Sequence, residues 1–127
     1  MKSITTVLLM LLMGCTTPAK NFPPATTAIE AARNYIEAGL QGDFEKAYAY
    51  AAINETMKSN TALVEKKYRT FDKEGRSNYR QASIIILNIT DQDSLHTTVN
   101  YQYSFDKVQH TILVQKNKGG WLVAAVN

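Results

Sequence analysis

The chain has 127 residues, enough for one domain around one core. With 45% hydrophobic and 20% charged residues it has the make-up of a globular protein, which excludes wholesale disorder. A formal charge of +3 is too small to imply a polyanionic partner, and a single cysteine excludes an internal disulfide.

The first element is apolar and short. Lys2 is followed by Ile4 to Met13, broken only by Thr5 and Thr6. About 20 apolar residues are needed to cross a bilayer, and this run is about half that, so it reads as the core of an export signal. It ends in Leu12-Met13-Gly14-Cys15, which resembles the bacterial lipobox: an aliphatic residue at −3, a small residue at −1, then cysteine. The resemblance implies cleavage before Cys15 and lipidation of its thiol. The expected address is therefore the bacterial cell envelope, with the lipid of Cys15 as anchor in a membrane. With Thr16 rather than aspartate next, the start of the mature chain resembles the signal that, in a Gram-negative host, implies the outer membrane or the cell surface.

Residues 1–14 are thus expected to be the signal and 15–26 the lipidated cysteine with a proline-containing tether (Pro18, Pro23, Pro24). Residues 27–127 are expected to be the folded domain. Thr27-Ala28-Ile29-Glu30 has the capping-box pattern, so a helix should begin near Ala28, with Ile29, Ala32, Ile36 and Leu40 on one face. Gly39 and Gly42 are candidate stops. Asp43 can cap a second helix, with Phe44, Ala47, Tyr48 and Ala51 on one face. Ser59 or Asn60 can cap a third, with Val64, Tyr68 and Phe71 aligned and Gly75 ending it.

From Tyr79 the period changes to two. Residues 83–89 form an apolar strand with no alternation. Leu95, Thr97, Val99, Tyr101, Tyr103 and Phe105 then alternate with polar residues, as in a strand with one buried and one wet face. A two-residue turn at Asp106-Lys107 would pair Phe105 with Val108 and Tyr103 with His110. Asn117-Lys118-Gly119-Gly120 marks the last turn, before an inner row of Trp121, Val123 and Ala125. Helices followed by an antiparallel meander predict an α+β fold, N-terminal helices packed on the concave face of a curved sheet of about four strands.

The opening amphipathic helix, the step Gly42-Asp43-Phe44 into a second helix with Ala47 and Tyr48, and the final Gly-Gly-Trp-Leu-Val carry a resemblance. Together they look like the cystatin-like cone of the nuclear transport factor two superfamily, and more narrowly its small lipoprotein domains. The resemblance covers about Thr27 to Asn127. It implies a concave surface suited to a ligand. Isomerases of the superfamily use a strand-borne aspartate there, but every acid of this chain falls on a predicted helix, cap or turn, so no catalytic residue is carried over.

The remaining chemistry is sparse. No grouping of His, Cys, Asp or Glu has metal-ligand spacing, no cofactor is expected, and nothing points to nucleic acid. His96 should face outward. Tyr103, His110 and Trp121 are the expected lining of a pocket on the concave face, where a Tyr–His pair can orient a polar group inside an apolar hollow. The sequence thus predicts a non-catalytic module that binds a small apolar ligand or an envelope protein. The alternatives are an isomerase- or dehydratase-like enzyme using His110, and an assembly component. The last would form a homodimer through an outer sheet face of Ile84, Ile86, Thr98 and Asn100.

Overall fold

A computed structural model of the protein describes residues 21–127. Cys15 and the export signal lie outside the described residues. The order is four helices, α1 (Ala28–Gln41), α2 (Phe44–Ala49), α3 (Glu55–Arg69) and α4 (Lys73–Gln81), then four strands, β1 (Ile84–Asp91), β2 (His96–Tyr103), β3 (His110–Asn117) and β4 (Gly120–Val126). The strands form one antiparallel sheet in the order β1-β2-β3-β4. The helices lie across its concave side, with α1 in contact with every strand.

Each helix starts where a side chain can take an orphan backbone N–H. The Thr27 hydroxyl accepts from the Glu30 amide at 3.1 Å, while Glu30 reaches back to the backbone N–H of Thr26 at 2.9 Å. That bond, with a second from the Thr26 hydroxyl, holds the Glu30 carboxyl below its ordinary range. Asp43 caps α2 by accepting from the Lys46 amide. Gly42 ends α1 in the left-handed conformation (φ 75°), and a Cβ there would lie 2.6 Å from the Tyr68 ring. Only glycine allows both the turn and that close approach.

The second half of the helical region departs from the sequence expectation. α3 is capped by Asn54, whose side-chain Oδ1 accepts from the Met57 amide at 2.8 Å, about one turn before Ser59. Gly75 does not end it. α3 stops at Arg69, Asp72 caps a further helix, and Gly75 is its third residue, its amide donating to Asp72 at 2.7 Å. α4 has no fully buried residue, so it left no apolar period to read.

The sheet keeps the expected faces of β2: Thr97, Val99 and Tyr101 are buried and the residues between them half-buried. The turn after it differs. Tyr101, not Tyr103, pairs with His110, and residues 104–109 form a longer loop in which Lys107 has φ 55°. A shift of two residues preserves the face, so His110 still points to the concave side. Phe105 and Val108, expected in the inner row, sit in this loop and are exposed.

Two bulges change the outer strands. One at Leu113/Val114 lets Val126 rather than Ala125 follow Val123 on the inner face, opposite Ile112. The other, at Ile86/Asn88, lies in β1. Ile84 and Ile86 pair with Tyr103 and Tyr101 and pack against the core, so they are not on the outer face as expected. Ile85, opposite Gln102, is the outward residue, and 40% of it is exposed.

Residues 22–25, placed by the sequence in the tether, lie against the fold. The Phe22 ring meets Tyr50 edge-on at 6.4 Å, the Tyr50 hydroxyl donates to the Pro23 carbonyl at 2.7 Å, and the Trp121 amide donates to the carbonyl of buried Ala25 at 3.1 Å.

Candidate functional site

The concave side of the sheet changes character along its length. Near the start of α1 it is filled by small and aliphatic side chains: Ala31, Ala32, Met57, Val99, Ile112, Val114 and Val123 have no exposed surface. Toward the other end the same elements present larger, flatter groups. On α1 the series runs from Ala32 to Tyr35, Ile36 and Leu40. On β2 it runs from Val99 to Tyr101 and Tyr103, and on β3 from Ile112 to His110. These do not close on one another and leave a cavity of about 170 Å³.

Half of the lining residues, His110 included, carry aromatic rings. Phe44 meets Tyr68 (5.6 Å between ring centres), Tyr68 meets Phe71 (6.1 Å), Phe71 meets Tyr79 (4.6 Å) and Tyr79 meets Tyr103 (6.2 Å). Tyr103 stands edge-on to Tyr101 at 5.7 Å, and the His110 imidazole stacks on Tyr101 at 5.2 Å and lies 5.0 Å from Tyr103. Helices α2, α3 and α4, with Phe71 between the last two, supply one side of this aromatic band and the sheet the other. Edge-to-face and offset contacts at these separations are the favourable arrangements of aromatic quadrupoles, so the band is self-supporting around an unfilled centre.

The polar groups of the wall are few. Tyr35 is anchored by a buried hydrogen bond of 3.0 Å between its hydroxyl and that of Thr61. Burial raises the hydroxyls of Tyr35, Tyr101 and Tyr103 above their ordinary value. For Tyr101 the neighbouring Tyr103 adds to the effect, and Tyr103 itself is pushed up to about 12. All three are therefore neutral hydroxyls at ordinary pH. Two polar atoms of the wall are buried with no hydrogen-bond partner in the protein, the Tyr68 hydroxyl and His110 Nε2. Buried polar atoms are rarely left without a partner, so each is a point where something else could bond. Among the described residues no aspartate or glutamate lines the cavity, and Lys67, an exposed residue, is the one lysine in its wall.

Of the three residues singled out by sequence, Tyr103 and His110 lie together in this wall. Trp121 does not. It sits at the opposite end of the sheet, beside Ala25, in a shallow groove with Thr27, Asp91, Asp93 and Thr97. The reason is the slant of the last hairpin: Trp121 pairs with Lys116, next to the turn and beyond the filled part of the core. Asp91, the last residue of β1, lies away from the cavity. It is exposed, accepts a hydrogen bond of 2.8 Å from the Thr97 hydroxyl, and belongs to this far groove. His96 is partly exposed, with Nδ1 2.9 Å from an Asp93 oxygen.

Sequence reasoning missed Tyr35, Tyr79 and Thr61. In the sequence Tyr79 marks the change of period, whereas in the structure it lies on α4, a helix with no apolar period of its own. Among the described residues no group of three metal-ligating side chains gathers, and no helix is long and apolar enough to cross a membrane.

No protein-family model matches the sequence, and no curated protein matches it. Solved structures do. An NTF-2 like protein of unknown function from Shewanella oneidensis MR-1 superposes with a TM-score of 0.57 at 15% identity, over 77% of this chain and 92% of that one. An NTF2-like protein of unknown function from Cytophaga hutchinsonii ATCC 33406 gives a TM-score of 0.48 at 12% identity, over 84% of this chain and 93% of that one. With helices laid on the concave face of a four-stranded antiparallel sheet, the likeness to the Shewanella protein shows that this chain has the α+β NTF2-like cone fold.

Proposed function

We propose that the protein is a lipid-anchored component of the bacterial envelope whose concave cavity binds a small, mainly apolar ligand without transforming it. The observation that carries the binding reading is the unfilled aromatic cavity of about 170 Å³, with His110 Nε2 buried in its wall and unpaired. A protein core normally packs to the density of an organic crystal, so a hollow of this size in a domain this small marks a place kept open. Lack of catalysis is supported by the wall itself, to which the described residues contribute no carboxylate to act as a base.

The anchoring half rests on the lipobox-like Leu12-Met13-Gly14-Cys15. Cys15→Ser should abolish labelling by fatty acid and release the protein from membranes. Persistent labelling or membrane partition of that variant would refute the anchor. The binding half is tested by following the His110 ring signals by NMR while small apolar compounds are titrated into the full chain. Saturable shifts at His110, absent at His96, are expected.

A second reading, an isomerase- or dehydratase-like enzyme, draws on the same nitrogen, because an imidazole nitrogen facing a cavity without a partner can move a proton. It requires turnover that depends on pH and vanishes in His110→Ala. Self-association through the outer sheet face would use Ile85 with Thr98 and Asn100, and a mass that rises with concentration in sedimentation would support it.

A further inference from the structure

We infer that the cavity is built for an uncharged, single-ring aromatic molecule carrying one hydroxyl group, a ligand of the phenol class. This rests on the binding role proposed above and narrows it.

Size comes first. Engineered protein cavities of about 150 Å³ hold one benzene ring, and the space here is about 170 Å³. One ring with a small substituent matches that volume. Shape comes next. The wall is a band of flat faces and edges from Phe44 through Tyr68, Phe71, Tyr79 and Tyr103 to Tyr101 and His110. A planar guest can extend the same edge-to-face and offset contacts on both sides, which a branched aliphatic guest cannot.

Charge excludes two neighbouring classes. A cation would find aromatic faces but no carboxylate in the wall to balance it, and would share the site with Lys67. An anion would meet the environment that keeps Tyr101 and Tyr103 protonated. Burial is the main cause of both shifts, and a guest carboxylate beside those rings would bear the same loss of hydration. The neutral form is the one the wall accepts.

The hydroxyl is assigned by one of the two unpaired polar atoms of the wall: the Tyr68 hydroxyl lies close against Gly42, which leaves the imidazole nitrogen for a guest. His110 Nε2 is buried without a partner. A guest hydroxyl satisfies it in either tautomer, donating to a bare Nε2 or accepting from a protonated one. An apolar guest would leave the nitrogen unpaired, and a guest that only accepts would serve one tautomer alone.

The test uses four probes of near-equal size on the full chain: phenol, toluene, benzoate and benzylammonium, titrated by calorimetry and by NMR of the His110 ring. Phenol should bind about tenfold more tightly than toluene, the ratio one buried hydrogen bond supports. Both ions should bind at least about tenfold more weakly than phenol. In His110→Phe the phenol-to-toluene ratio should fall to about one while toluene binding persists. Should that variant fail to fold by circular dichroism, His110→Gln, which keeps a polar group, is expected to retain part of the phenol preference. Equal binding of phenol and toluene, or either ion binding as tightly as phenol, overturns the phenol class but leaves the binding cavity standing. Four probes without effect on heat or on the His110 signals overturn both.

Discussion

The two ends of the concave face are made by the same helices and strands, yet one is solid and the other hollow. At the solid end, Ala31 and Ala32 let α1 come close to the sheet, and Met57, Val99, Val114 and Val123 fill what remains. At the hollow end, Tyr35, Tyr68, Tyr79, Tyr101 and Tyr103 stand around a space they do not enter. Small side chains can close a gap by letting backbones approach. Rigid rings prop elements apart and brace one another, so a core changes from filled to vacant by a change of residue shape along four elements, without any change of topology.

The contrast is broken most sharply at Met57. Met57→Ala should lower unfolding stability by about 2–5 kcal/mol in urea denaturation, because a filled site loses both transfer energy and packing. A loss below about 1 kcal/mol would mean that the solid end relaxes as readily as the hollow one.

Alkaline unfolding probes the hollow end. The Tyr103 hydroxyl has its pKa raised from 10 to about 12 by burial, so the unfolded chain gives up this proton first. The contribution is intact below pH 10 and is lost as pH rises toward 12, at about 1.4 kcal/mol per unit and about 2–3 kcal/mol in all. Tyr101, raised for the same first reason, steepens the fall. In Tyr103→Phe the slope of stability against pH should drop by about one proton.

Thr61→Val tests the strut between the ends. Val keeps the shape but strips the Tyr35 hydroxyl of its buried partner, and a loss of about 1–3 kcal/mol is expected by thermal melting at neutral pH. The smallest effect is expected at the cavity wall. His110→Phe removes an unsatisfied polar atom and keeps a stacking ring, so stability should stay within about 1 kcal/mol of the parent. A larger loss would identify His110 as a structural member of the wall.

Legibility in the sequence followed the same physics. β2 could be read because one face is buried and one half-wet, which imposes strict alternation on residues 96–103. The pair Tyr103 and His110 survived a misjudged turn, since an error of two residues leaves every side chain on its own face. β1 could not be read: four consecutive apolar residues carry no face information, and its bulge breaks the register. Nor could α4, whose residues are polar all round and which is held through Tyr79. Trp121 was misplaced because the alternation gives the face but not the position along the slanting hairpin. The cavity itself has no sequence signal, since an aromatic row looks the same whether it is packed or hollow.

The strap formed by residues 22–25 has a bearing on how copies of the sheet could join. Together with Ala51 and Ala52 it occupies the free side of β4 at Trp121 and Val123: the amides of those two residues donate to Ala25 and Tyr50, and the Val123 carbonyl accepts from Ala52. On the opposite side β1 ends the sheet, and its eight residues contain neither proline nor lysine to blunt it. Among the described residues, then, the β4 border is covered at Trp121 and Val123 while the β1 border has no strand beside it. Strand-to-strand joining of two molecules, β1 against β1, uses that border in each and so closes at two.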